Sequence, residues 1–184
     1  MKFIPQSIPD IILIEPTVQI DSRGYFFETF NQDDFENNIG YKVNFCQDNE
    51  SKSTKGVLRG LHYQLPPYSQ AKLVRVIEGN VLDVAVDIRK SSKTYGKYVA
   101  LELSSMNKYQ LFIPKGFAHG FQVLSNNAIF SYKVDNLYAP DSERGIAYND
   151  PNLAIDWELP IESTHISDKD KSNPFLNKAS DLFS

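Results

Sequence analysis

The chain's 184 residues, 41% hydrophobic and 23% charged, are enough for one domain (1–184) with a sizeable core, and they exclude wholesale disorder. A net charge of −4 excludes the basic field on which nucleic-acid binders rely, so any anionic ligand has to be held by a few local cations. The single cysteine, Cys46, excludes an internal disulfide and a thiolate metal cluster, and it suits a reducing, cytoplasmic setting.

In chain order, Pro5, Pro9 and Asp10 interrupt the N-terminus where a signal peptide needs an unbroken apolar stretch. The apolar run Ile11–Ile14 reads as a short strand, far below the ~20 residues that span a bilayer, so no membrane partner is expected. A helix is expected from an Asn31 cap through Asp33, Asp34 and Phe35 to Gly40, its acids suited to the first turn. Val57–Gln64 is strand-like. β-branched and aromatic runs follow at Lys72–Ile77, Val81–Ile88, Tyr98–Leu103, Tyr109–Ile113, Phe121–Leu124 and Ala128–Val134, with turn residues between them. Within Val81–Ile88, Leu82, Val84, Val86 and Ile88 fall on one face, and Val81, Asp83, Ala85 and Asp87 on the other. A second, short helix is expected in the C-terminal tail. Strands at this spacing without intervening helices, with no repeat and no linker, predict an antiparallel β-sandwich or barrel.

Three histidines carry most of the candidate chemistry. Strict alternation puts Arg59 and His62 on opposite faces of their strand, but a bulge at Gly60 between them would turn both toward one cavity. Without it His62 is a hydrogen-bonded wall residue. His165 reads as a surface residue. Arg23, Arg59, Arg75, Arg89 and Arg144 each read as solvated cations, and the ammonium of Lys72 faces either a barrel mouth or bulk water. Tyr132 is one of ten tyrosines. Pro114, Gly116 and His119 have the Pro-x-Gly-x-x-His spacing that resembles the second signature of the cupin superfamily. Metal-binding cupins also use His-x-His, and here that place reads His62-Tyr63-Gln64. One imidazole is missing, so no transition-metal site is expected.

Longer strings are more specific. Asp21–Phe30 (Asp-Ser-Arg-Gly-Tyr-Phe-Phe-Glu-Thr-Phe) resembles the opening motif of the dTDP-4-dehydrorhamnose 3,5-epimerase family. So do Gln47–Ser51, Gly56–Gln64, Lys72–Val76, Asp83–Arg89, Pro114–Phe121, Tyr132-Lys133 and Ser167–Asp170, in one order over nearly the whole chain. The resemblance implies a cupin-like jelly-roll barrel with few short helices, a homodimer, and neither metal nor organic cofactor. It also implies inversion of C3 and C5 of a dTDP-linked 4-keto-6-deoxy sugar.

By motif position, His62 is then the base, Asp170 its hydrogen-bond partner, Lys72 the cation at the C4 oxygen, and Tyr132 the acid on the opposite face. Arg23 and Arg59 are assigned to the diphosphate, and Tyr138 to stacking on the thymine. Glu28, Gln47, Asp48 and Asn49 line the nucleotide or sugar pocket, and His119, Glu143 and Lys169 make further substrate contacts. Asp83 is counted with these contacts and placed in the barrel near the histidine. The resemblance also implies an N-terminal strand that reaches the neighbouring subunit. Two positions depart from the family: Tyr148 stands where a tryptophan is common, and Leu137-Tyr138 where two tyrosines are. Neither touches the acid–base pair. The alternatives are a C3-only epimerase or ketoisomerase, a metal cupin oxygenase, and a non-catalytic sugar-nucleotide-binding cupin.

Overall fold

The computed structural model describes residues 1–183. Strands β1 (Lys2–Pro5), β2 (Ile12–Glu15), β3 (Gln19–Asp21) and β4 (Gly24–Phe26) precede helix α1 (Gln32–Ile39). Then come β5 (Gln47–Thr54), β6 (Leu58–Gln64), β7 (Lys72–Glu78), β8 (Asn80–Asp87) and β9 (Tyr98–Ser104). β10 (Gln110–Ile113), β11 (Phe117–Val123), β12 (Asn127–Val134) and β13 (Glu143–Gly145) complete the strands, and a one-turn helix α2 (Asp168–Lys171) lies in the tail. One sheet runs β1-β2-β10-β7-β12-β5 and the other β13-β6-β11-β8-β9, while β3 and β4 form a separate hairpin. The fold is the antiparallel, mainly β sandwich that the strand spacing predicts, with the cupin-like form that the family resemblance implies.

The alternation along β8 explains how the layers pack. Val81 and Ala85 enter a core shared with Val74, Leu111 and Phe130 of the facing sheet. Leu82, Val84, Val86 and Ile88 lie on the other face, under Ile146, Leu153 and Leu176 of the C-terminal tail. The outer face of the first sheet is covered in the same way by Phe35 of α1 and by Val43. Each buried side chain of this size contributes ~1.5–3 kcal/mol relative to exposure. Helix α1 forms as expected: the Asn31 side chain accepts from Asp33 and Asp34, and Gly40 closes the helix in the left-handed region.

Arg89 is not the solvated cation expected. It lies 4.6 Å over the Phe117 ring and pairs with Asp87 and Asp10. Burial alone would raise the Asp87 carboxyl, but bonds from Arg89, Ser92 and Thr94 hold it at about 2. β11 begins four residues before the expected run at Phe121, because Phe117 to Val123 pair continuously with β8. β5 was not expected at all. Its residues pair with β12 along their whole length, with Gln47, Asn49, Ser51 and Ser53 less exposed than the residues between them.

Candidate active site

The bulge at Gly60 decides where the key side chains of β6 point. Between the pairs His119↔His62 and Phe121↔Arg59, β11 advances two residues and β6 three. The extra residue breaks the alternation, and Arg59 and His62 both line one cavity of about 490 Å³. Gly60 has φ +126°, and an added Cβ there would stand 2.6 Å from the Gly120 Cα. Only glycine fits.

His62 is half-buried, and its Nε2 lies 2.6 Å from Oδ1 of Asp170. The other Asp170 oxygen accepts from the Gly60 N–H at 3.3 Å. Burial alone would raise the Asp170 carboxyl, but the bond and charge of His62, with Gly60 and Ser167, outweigh it and hold the carboxyl below its usual range. Asp170 is therefore a carboxylate facing an imidazole N–H, which leaves the lone pair of His62 on Nδ1.

Lys72 and Tyr132 come from the other sheet. Lys72 pairs with Val134 and Tyr132 with Val74, so the two are diagonal neighbours on β7 and β12. Burial pushes the Lys72 ammonium down to about 8, against the pull of Asp83 and Glu143. Burial raises the Tyr132 phenol, partly countered by Arg59. A second cavity, of about 370 Å³, opens beside the first and is lined by Gln47, Asn49, Tyr138 and Glu143. His62, Lys72 and Tyr132 line both cavities, so they stand at the junction of one continuous cleft.

The walls of the cleft are cross-linked. Tyr138 donates its hydroxyl to Glu143 at 2.7 Å, and Lys169 pairs with the same carboxylate oxygen. Burial alone would raise Glu143, yet Lys169 and Tyr138 keep it below its ordinary value. Arg59 is braced by Ser53 at 3.1 Å. His119 lies on the cavity floor with Nε2 at 2.9 Å from Asp83 and its ring stacked toward Phe130. Burial disfavours its cation and lowers its pKa, against the pull of Asp83.

Other candidates stand elsewhere. Asp83, expected among the substrate contacts, is 0% exposed and sits behind His119, lining neither cavity. Asp48 points the other way from Gln47 and Asn49, as a period of two requires, and pairs with Lys133 outside the cleft. Arg23 stands on the β3–β4 hairpin and pairs with Asp21, while Glu28 lines a shallow depression beside Met1 and Thr17.

His165, read as an isolated surface residue, is exposed but also lines the larger cavity. A parallel bridge to Val57 brings it there, and no local spacing signals such a long-range pairing. Ser51 and Phe130 are further lining residues that the sequence reading missed. Gln64, at the place of the second cupin imidazole, has its carboxamide bonded to backbone groups. Among the described residues no three His, Cys, Asp or Glu side chains converge as a metal-binding group.

A family model described as dTDP-4-dehydrorhamnose 3,5-epimerase matches residues 5–178. A protein of that name from Shigella flexneri is 58% identical over 170 residues, covering 92% of this chain and 93% of its own. The crystal structure of the Legionella pneumophila dTDP-6-deoxy-D-glucose-3,5-epimerase, in complex with dTDP-4-keto-L-rhamnose, superposes with a TM-score of 0.93. It is 50% identical, covering 96% of this chain and 93% of its own. A 3'-monoepimerase from Streptomyces bikiniensis, in complex with dTDP-quinovose, shares the fold at 32% identity and a TM-score of 0.89, covering 94% and 87% of the two chains.

Proposed function

Because the chain belongs to the dTDP-4-dehydrorhamnose 3,5-epimerase family, we propose that His62 and Tyr132 carry out its double inversion from opposite faces of the sugar. The reaction converts dTDP-4-dehydro-6-deoxy-D-glucose to dTDP-4-dehydro-L-rhamnose, the 4-keto precursor that reduction at C4 turns into dTDP-L-rhamnose. One observation carries the assignment of roles. The imidazole and the phenol come from facing sheets and share both cavities, with Lys72 beside them.

A hydrogen on carbon beside a ketone becomes acidic only when the carbanion's charge can move to oxygen. Nδ1 of His62 takes the proton from C3 or C5, and the electron pair passes through the ring to the C4 oxygen. The Lys72 ammonium stabilises that enolate oxygen, the kind of preorganised electrostatic contact that contributes most to such steps. Asp170 stabilises the imidazolium. Tyr132 then gives its hydroxyl proton to the carbon from the other face, and the resulting imidazolium and phenolate return to their starting forms by exchange with water in the open cleft. Arg59 holds the diphosphate, Tyr138 stacks on the thymine, and Gln47, Asn49, Glu143, Lys169 and His119 supply further polar contacts.

Arg23 and Glu28 enter through a homodimer. The β3–β4 hairpin pairs with neither sheet and leaves Ile20 81%, Tyr25 60% and Phe26 69% exposed. A two-stranded hairpin is marginal alone in water, so this arm packs on a second copy and brings both residues to that copy's cleft. Among the described residues no helix is long and apolar enough to cross a membrane. The nucleotide-sugar substrate and the free thiol of Cys46 fit a cytoplasmic enzyme.

Turnover of dTDP-4-dehydro-6-deoxy-D-glucose in deuterated water should place one deuteron at C3 and one at C5, read by NMR and mass. A single deuteron at C3 marks a monoepimerase, and none marks a binding protein. The reaction should also lose rate on the alkaline side. A lysine with a pKa of about 8 sheds its charge as pH rises through that value, so kcat/KM should fall there. Lys72→Arg, permanently charged, should move the fall to higher pH. A profile that stays flat in the unaltered enzyme contradicts the role given to Lys72.

A further inference from the structure

We infer that Gln64 is a positioning residue that holds the backbone on both sides of Tyr138 and thereby sets affinity for the nucleotide. The inference rests on the reading of Tyr138 as the nucleobase-stacking residue. Gln64 follows His62 by two residues on β6 and is 4% exposed. Its Nε2 donates to the Tyr68 carbonyl at 2.6 Å and to the Leu137 carbonyl at 3.1 Å. Its Oε1 accepts from the Ala139 N–H at 2.8 Å. Two carbonyls and one N–H fix which end of the amide is which. A glutamate would turn a carboxylate toward two carbonyls, and an imidazole could not satisfy all three groups.

Leu137 and Ala139 flank Tyr138. That ring is more than half exposed, and its hydroxyl bond to Glu143 fixes only its tip. The loop around it is stitched to the Pro66–Gln70 turn by Gln70 to the Asn136 carbonyl and by Asn136 to the Pro67 carbonyl. Gln64 is the buried member of this set. It joins the strand carrying the proposed base to the loop carrying the stacking ring.

In Gln64→Leu the dissociation constant of dTDP and the KM of the sugar nucleotide should each rise about tenfold, roughly the net contribution of one or two hydrogen bonds. kcat at saturation should change far less. Tyr138→Ala should weaken dTDP as well, and the double variant should be little weaker than Tyr138→Ala alone, because Gln64 acts through that ring. Additive losses, or an unchanged dTDP affinity in Gln64→Leu beside a weakened Tyr138→Ala, overturn the inference and leave the reading of Tyr138 standing. A Tyr138→Ala variant that binds dTDP normally overturns both.

If Gln64→Leu does not fold, the cycle is run with Gln64→Glu, which keeps the size and the acceptor but loses both donors. If neither folds, amide hydrogen exchange at Ala139 in the unaltered protein decides. Slow exchange supports the clamp, and exchange at the rate of an open loop contradicts it.

Discussion

Replacing His62 with asparagine is expected to lower kcat by ~10²–10⁴-fold, the usual range for loss of a general base, while dTDP binds as before. Asparagine is smaller and polar, and although its amide ends short of the place of Nε2, the Asp170 carboxylate keeps the Gly60 N–H. Asparagine has no basic lone pair, so a carbon-bound proton has nowhere to go. The groups proposed to hold the nucleotide, Arg59 and Tyr138, have partners of their own in Ser53 and Glu143 and do not depend on the imidazole. Calorimetry with dTDP and steady-state kinetics separate the two effects. Retained turnover would remove His62 from the role of base.

Replacing Lys72 with methionine should lower kcat/KM by ~10²–10³-fold, the loss typical of a donor aimed at a developing oxyanion. Of the side chains that line both cavities, Lys72 alone carries an ammonium. Methionine preserves length and bulk, so the loss reports charge and not shape. Stability should move differently. A lysine whose folded pKa lies near 8, below its ordinary value, is held charged at neutral pH at a cost to the fold. Its removal should leave the melting temperature unchanged or raise it. A fall in melting temperature together with intact turnover would show that the ammonium braces the barrel and takes no part in catalysis.

How much of this is legible in the sequence depends on what each strand faces. β8 is readable because both of its faces meet apolar layers, so Leu82, Val84, Val86 and Ile88 alternate cleanly with Val81 and Ala85. β5 is not, because Gln47, Asn49 and Ser51 point into a wet cleft and the alternation of exposure has no apolar partner in composition. The turn toward one cavity at Arg59 and His62 can be anticipated from Gly60, since a glycine between two such residues is where a bulge costs least.

The position of Asp83 follows from β8 periodicity, but not that His119 would stand between it and the cleft. Asp48 shows the opposite limit. It adjoins Gln47 and Asn49 in a shared motif, yet the strand's period of two sends it outward to Lys133. His165 depends on Val57, far away in the chain, and no local pattern encodes such distant pairing. Arg89 takes its main partner, Asp87, from two residues away, and only its contacts to Asp10 and Phe117 are distant.

The division of labour between the two sheets is tested most directly by Tyr132→Phe. The variant keeps the ring on β12 and removes only the hydroxyl, so His62 can still take a proton from carbon and return one from solvent on the same face. With dTDP-4-dehydro-6-deoxy-D-glucose in deuterated water, the NMR spectrum should show deuterium entering the sugar while the doubly inverted product accumulates far more slowly. Loss of deuterium entry and of inversion in equal measure would contradict the assignment of proton removal to one sheet and proton return to the other.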